Sequence, residues 1–341
     1  MRYLEVKNIN GSMKERVKVS ICIPVFNMAG TIERAVRSGL TQSFESLEIL
    51  VIDNGSNDGT YEIVSAIEDT RLLVIRNKRN LGAYGNHNKC LELASGKWVK
   101  FLHGDDDLEP NAIRNLMAHV DACQLEVGLV CCPATKLSFD ETLISVTDSP
   151  KKPLVMKSAS IEAFMLHGNF VGTPSMVMLN RTAALEIGGF DLTLNPFSDG
   201  DMWMNMRSRF ASLYVPDPLV NIRDDHPGSR NDQVQLKIAF MTSMEKQIHK
   251  WHGLSREKYQ HLSQTSYSDW MMMEMHSYVI SSFYYLTKGQ PQLLFTLLRL
   301  LCRNRVFYKT FSRSLKLFFT RRNHMEIVWF VALSDLAVET D

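Results

Sequence analysis

Between residues 19 and 120 short β-rich runs alternate with helical stretches, and this alternation restricts the fold more than any other feature of the chain. Val19-Ser20-Ile21-Cys22-Ile23-Pro24-Val25 is compact and rich in β-branched residues, whereas residues 31–40 carry the 3.6-residue spacing of an amphipathic helix. Leu47-Glu48-Ile49-Leu50-Val51-Ile52 repeats the strand pattern, residues 60–67 the helical one, and Leu72-Leu73-Val74-Ile75 marks a third strand. Asn80-Leu81-Gly82 then opens a helix running to residue 94, and a fourth strand covers Lys97-Trp98-Val99-Lys100-Phe101-Leu102 before residues 111–120 return to helix. Strands separated by helices predict a doubly wound, mostly parallel α/β sheet, because parallel neighbours need a crossover connection.

Ligands of such sheets bind outside the carboxyl ends of the strands, so the polar residues there are the candidates for chemistry. The fourth strand runs into His103-Gly104-Asp105-Asp106-Asp107-Leu108-Glu109-Pro110. Three adjacent carboxylates repel one another unless a proton, a base or a metal neutralises them. Hard oxygen ligands favour Mg²⁺ or Mn²⁺, ions that commonly also grip substrate phosphates. The same residues equally suit a solvated acidic turn in which Asp106 or Asp107 caps the helix near Pro110. The second strand ends at Asp53, ahead of Asn54-Gly55-Ser56-Asn57-Asp58-Gly59-Thr60. Turn chemistry accounts for the glycines and helix capping for Asp58. Asp53 has no such duty and suits acceptance from a base edge or ribose hydroxyl.

Beyond residue 120 the alternation weakens. Residues 127–132 and 175–179 read as strands, 136–157 as a polar excursion or hairpin, and 161–166, 182–187 and 202–210 as helices, the second of them closed by Gly188-Gly189. After His226-Pro227-Gly228-Ser229 the composition shifts to long helical stretches rich in Met, Leu and aromatics. The expected organisation is an N-terminal extension at 1–17, an α/β catalytic unit at 18–230 and a helical region at 231–341. Within the last, residues 292–322 interleave Arg299, Arg303, Arg305, Lys309, Arg313, Lys316, Arg321 and Arg322 with Leu and Phe. That pattern fits contact with a membrane surface, and equally helices packed on the catalytic unit or on a sister subunit in a homo-oligomer.

At 341 residues, 45% hydrophobic and 22% charged, the chain has the composition of a globular protein. A formal net charge of +1 gives no reason to expect a nucleic-acid partner. The six cysteines lack a paired Cys-x-x-Cys spacing and read as buried thiols in a reducing compartment. Residues 1–20 hold no apolar stretch of signal-peptide length, and no run reaches the roughly 20 apolar residues of a spanning helix. The expected location is cytoplasmic, peripheral on the inner face of the membrane.

Taken in chain order, Ile23-Pro24-Val25-Phe26-Asn27, the segment from Asp53 to Thr60, Asn80-Leu81-Gly82 with Asn86, the acidic cluster, Gly188-Gly189-Phe190-Asp191 and Ser198-Asp199-Gly200-Asp201 form a specific series. In these motifs the chain resembles the family 2 glycosyltransferases of GT-A fold, over roughly residues 19–226 by the domain sizes usual for such folds. The resemblance implies that Pro24, Phe26, Asn27, Asn80 and Gly82 line a nucleotide-sugar pocket in which Asp53 accepts from uracil or an equivalent base. It implies that Asp105 and Asp106 face ribose, diphosphate and metal, that Asp105, Asp107 and His226 ligate Mn²⁺ or Mg²⁺, and that Arg223 clamps phosphate. Asp199 takes the role of general base. The family usually has an aspartate where His103 stands. Asp105-x-Asp107 restores the Asp-x-Asp letters, while His103 suits metal ligation, donation to phosphate or a structural hydrogen bond.

The implied activity is inverting, metal-dependent transfer of a single sugar from a nucleotide-diphosphate donor, UDP-linked, to a hydroxyl of a glycan or lipid-linked glycan acceptor, as in polysaccharide, O-antigen or capsule synthesis. Single addition is favoured because the tail lacks spanning helices and the Gln-x-x-Arg-Trp signature of processive synthases. Two rivals remain open. One is a sugar-phosphate nucleotidyltransferase, whose glycine-rich basic opening loop is missing from residues 23–31. The other is a non-catalytic binding or scaffold protein of the same fold, suggested by the altered position at His103.

Overall fold

The computed structural model describes residues 17–138, 140–147, 151–156, 171–196 and 198–223, together with 246, 250 and a short strand at Ala337–Val338. His226, the helix expected at 161–166, the boundary near 230 and the basic stretch 292–322 lie outside the described residues.

Strands β1 (Val19–Val25), β2 (Leu47–Asp53), β3 (Leu72–Arg76) and β4 (Trp98–Phe101) lie parallel in the order β3-β2-β1-β4. Helices α1 (Ile32–Leu40), α2 (Thr60–Ser65) and α3 (Ala83–Leu93) carry the three crossovers. Side chains alternate across the strands, so each face feeds its own core. Ile21, Ile23, Ile49 and Val51 pack with Ile32, Ala35 and Val36 of α1 and Val64 of α2. Cys22, Leu50, Ile52, Val99 and Phe101 pack on the opposite face with Cys90 and Leu91 of α3 and with Trp203. Both faces of β1, β2 and β4 are covered, which is why these strands read as largely apolar runs. Each fully buried Ile or Leu contributes about 1.5–3 kcal/mol relative to exposure.

The sheet continues past β4 through β10 (Val177–Asn180), β6 (Val127–Cys131), β11 (Ala211–Tyr214), β9 (Leu154–Met156) and β13 (Ala337–Val338), with β10 antiparallel to both its neighbours. A smaller sheet of order β5-β12-β7-β8 joins β5 (Asp107–Leu108), β12 (Val220–Arg223), β7 (Ala134–Leu137) and β8 (Leu143–Val146). The hairpin β7–β8 realises the excursion expected after residue 136. Strands β9, β11 and β12 have no counterpart in the sequence reading, being three or four residues long and without alternation. Helices α4 (Ala112–Ala122), α5 (Arg181–Glu186) and α6 (Ser198–Arg209) complete the layers. Helix α6 starts at Ser198 rather than Met202, which places Asp199 and Asp201 in its first turn. Among the described residues no helix is long and apolar enough to cross a membrane.

Candidate active site

The register of the parallel strands brings Val25 beside Asp53 and Asp53 beside Arg76, so β1, β2 and β3 end level along one edge. The strand ends and following loops at this edge hold Pro24, Phe26, Asn27, Asp53, Asn80 and Gly82, and the acidic cluster follows β4. Pro24 is half-buried, whereas Phe26 and Asn27 are exposed, Phe26 by 38%. Asn27 takes a positive φ of 52°, accepts the Asn57 backbone N–H at 3.0 Å and donates its own N–H to the Ser56 hydroxyl at 2.9 Å. Asp58 accepts from the Thr60 hydroxyl at 2.6 Å and from the Ala29 N–H at 3.0 Å, so the β2–α2 loop is bonded to the β1–α1 loop.

Asp53 is buried, and the sequence reading left it without a structural duty. It has one here: both carboxylate oxygens accept the Ser56 N–H at 3.2 Å, and the Arg76 guanidinium lies 3.2 Å from Oδ2. Asparagines brace the third loop. The Asn54 amide donates to Asn80 Oδ1 at 2.9 Å and to the Gly82 carbonyl at 3.1 Å, while its oxygen accepts from Leu81 N–H and from the Asn77 amide. Asn80 and Gly82 are themselves exposed at the mouth of this loop.

Among the described residues His103, Asp105 and Asp106 each offer a ligand atom, and these atoms lie within 4.8 Å of one another. The loop is tight: the Asp106 N–H donates to the His103 carbonyl at 3.2 Å, and the His103 N–H to the Ser175 hydroxyl at 2.9 Å. Burial, then the charge of Asp105, pushes the Asp106 carboxyl well above its ordinary range, against donation by the Ser175 hydroxyl and the Arg223 N–H. Beneath lies Lys100, wholly buried, its ammonium donating to the Ser175 carbonyl. Burial lowers its pKa to about 8, opposed by Cys132 and Asp106. A carboxyl forced toward its neutral form beside a second carboxylate is a place where a divalent cation replaces a proton. The two carboxylates offer hard oxygen ligands to a divalent cation, and the imidazole adds a nitrogen ligand.

Two expectations meet a different geometry. Asp107 does not join that group: it opens β5, and its carboxylate meets the Arg223 guanidinium, Arg34 at 3.4 Å and the Asn221 amide at 2.9 Å. Arg223 is correspondingly occupied. Its side chain is 4% exposed and grips Glu141 with Nε at 2.9 Å and a terminal nitrogen at 2.6 Å. The cause is the short strand β5 pairing with β12, which sets Asn221 opposite Asp107 and turns Asp107 toward the small sheet.

Asp199 stands in the first turn of α6, where helix N-termini favour a negative charge. Burial nevertheless raises its pKa to about 6, against hydrogen bonds from the Gly200 N–H and the Tyr84 hydroxyl. Asp201, two residues on, is buried and tied to Asn205 at 3.0 Å and to the Lys250 ammonium at 2.9 Å, which also reaches Asp191 at 2.9 Å. Rings join the base candidate to the acidic cluster: Tyr84 lies 5.6 Å from His87 by centroids, and His87 5.6 Å from His103. Sequence reasoning missed Lys100, Tyr84, Ser175 and Lys250 as site residues. A lysine within an otherwise apolar strand was the one available signal for Lys100.

Residues 20–188 match the model of glycosyl transferase family 2. The uncharacterized protein MT1568 of Mycobacterium tuberculosis is 34% identical over 218 residues, 59% of this chain and 65% of that protein. The UDP-Glc:alpha-D-GlcNAc-diphosphoundecaprenol beta-1,3-glucosyltransferase WfaP of Escherichia coli is 39% identical over 88 residues, 26% of this chain and 35% of its own. The chain thus spans less than two thirds of the length of these curated relatives. The mannosyltransferase PcManGT from Pyrobaculum calidifontis, solved with GDP-Man and Mn²⁺, superposes with a TM-score of 0.51 at 15% identity, over 90% of each chain, a likeness of fold. With its mixed sheet, parallel from β3 through β4, its acidic loop after β4 and its matched segment, residues 20–188 form a glycosyl transferase family 2 domain, and the chain has the GT-A fold.

Proposed function

We propose that this protein is an inverting glycosyltransferase that moves one sugar from a UDP-linked donor to a hydroxyl of a lipid-linked or growing glycan. The observation that carries the proposal is Asp199, a partly exposed carboxylate at a helix start whose pKa of about 6 suits proton abstraction near neutrality. A more basic group would be protonated and a more acidic one would pull too weakly. UDP and a lipid-linked acceptor are favoured because the WfaP relative is named for both.

In this reading His103, Asp105 and Asp106 hold Mn²⁺ or Mg²⁺. When bound, such an ion offsets the negative charge on the departing diphosphate. The chain's own residues do the rest. Phe26 presents a ring on which a base can stack, and Asp53 keeps lone pairs beyond those used by Ser56 and Arg76 with which to accept from it. Asn80 and Gly82 face the sugar nucleotide from the third loop. Asp199 removes the acceptor's hydroxyl proton, the acceptor oxygen bonds the anomeric carbon from the face opposite the diphosphate, and the nucleoside diphosphate leaves with the bonding electrons. Asp107 and Arg223 serve by holding the small sheet against the acidic loop.

The test is nucleoside diphosphate release from a panel of UDP- and GDP-sugars with Mn²⁺, run with wild type and Asp199→Asn. Turnover by wild type, loss of turnover in the variant and unchanged donor binding are expected. Transfer retained by Asp199→Asn would refute the base, and nucleotide binding without turnover of any donor would favour the binding-protein alternative.

A further inference from the structure

Tyr84 is the second residue of α3, immediately after the Asn80–Gly82 loop. Its ring stacks on Phe190 at 5.4 Å with 25° between planes and lies beside His87, with the hydroxyl at the segment that leads into α6. There it donates to the Pro196 carbonyl at 2.7 Å and also hydrogen-bonds the Asp199 carboxylate. We propose that Tyr84 is a positioning residue that partners Asp199 in both of its protonation states and so couples the donor-side loop to proton transfer. This rests on the reading of Asp199 as the general base.

The argument is one of hydrogen-bond capacity. A phenol has a single O–H and accepts through its oxygen, so it cannot donate to Pro196 and Asp199 together. While Asp199 is ionised, the phenol proton turns to the carboxylate, which needs a donor. Once Asp199 has taken the acceptor's proton, the new carboxyl O–H donates to the phenol oxygen, and the phenol proton turns to the Pro196 carbonyl. The transferred proton stays on Asp199 and Tyr84 remains neutral throughout. A rotation of one hydroxyl replaces the reorganisation that solvent would otherwise provide, and preorganised dipoles of this kind lower reaction barriers. Stacking on Phe190 holds the phenol in place for either arrangement.

The groups on Asp199 are its Gly200 N–H on α6 and the Tyr84 hydroxyl; Asp191 and Asp201 are bridged to each other by the Lys250 ammonium, and His87 lies beside the Tyr84 ring. Of these, the Gly200 N–H and the Tyr84 hydroxyl bond the Asp199 carboxylate directly. Removing the phenol oxygen while keeping the ring therefore isolates its effect.

The experiment is a carbon-13 carboxylate NMR titration of Asp199 in wild type and Tyr84→Phe, with the resonance assigned by its loss in Asp199→Asn. It needs no substrate. Wild type is expected to titrate near about 6. Losing a donor to the charged form should raise the Tyr84→Phe midpoint by about one pH unit. The acid limb of kcat/KM should follow, about tenfold lower at pH 5, with donor KM unchanged. Coincident midpoints in the two proteins would overturn the role of Tyr84. Transfer by Asp199→Asn would instead remove the base reading on which it rests, so the two failures are distinguishable.

Discussion

Arg223→Met separates two roles that one guanidinium could play, phosphate clamp or internal latch. The structure gives Arg223 a side chain 4% exposed, a two-pronged bond to Glu141 at 2.9 and 2.6 Å, and contact with Asp107. Glu141 is 52% exposed, so that half is screened by solvent and contributes less than about 1 kcal/mol. Asp107 is only 15% exposed, and a hydrogen bond to a charged group in such surroundings contributes about 1.5–3 kcal/mol. Arg34 and the Asn221 amide remain beside Asp107 after the substitution, which keeps the loss well below that of an orphaned buried charge. The sum is a destabilisation of about 2–4 kcal/mol, read as a drop in melting temperature of roughly 5–15 °C for a domain of this size. Binding of nucleoside diphosphate to protein still folded at 10 °C should weaken no more than about threefold. A variant with wild-type melting and donor affinity down a hundredfold would refute the latch and restore the clamp.

Lys250→Met leaves the buried carboxylate of Asp201 without an ammonium and should cost roughly 2–4 kcal/mol in urea unfolding; adding Asp201→Asn should recover much of it, since the two act as one unit. Gly96→Ala places a Cβ 2.7 Å from the Ser20 nitrogen and 2.9 Å from the Val19 carbonyl carbon, backbone atoms that cannot yield, so β1 and β4 must part and stability should fall by about 1–3 kcal/mol. Asp199→Asn should stabilise the fold above pH 6. The folded carboxyl titrates near 6 and the unfolded one near about 3.9, so stability is lost as pH rises between them. Its partial exposure reduces the gain to about 1–2 kcal/mol, and below pH 4 wild type and variant should melt together.

The sheet was legible because β1, β2 and β4 are buried on both faces and β1 to β4 are separated by helices of regular spacing, a pattern that repeats within a hundred residues. Strands β9, β11 and β12 were not, because three or four residues carry no period. Asp107 shows the same limit at the site. Which of three adjacent carboxylates turns inward depends on β5, whose two residues pair with a strand more than a hundred positions away. Asp53 was placed correctly at its strand end, yet its bond to Arg76 arises from the β2–β3 register, a contact no local pattern encodes. Asp199 was singled out by resemblance, but its raised pKa and its Tyr84 partner depend on helix α6 starting four residues early and packing against α3.

Calorimetric titration of Mn²⁺ in the presence of UDP, comparing wild type with Asp105→Asn and Asp107→Asn, tests the assignment of the cation to His103, Asp105 and Asp106. Heat of binding should vanish in Asp105→Asn and persist within about threefold of wild-type affinity in Asp107→Asn, whose amide oxygen still meets Arg223. Binding lost in Asp107→Asn and kept in Asp105→Asn would contradict the site.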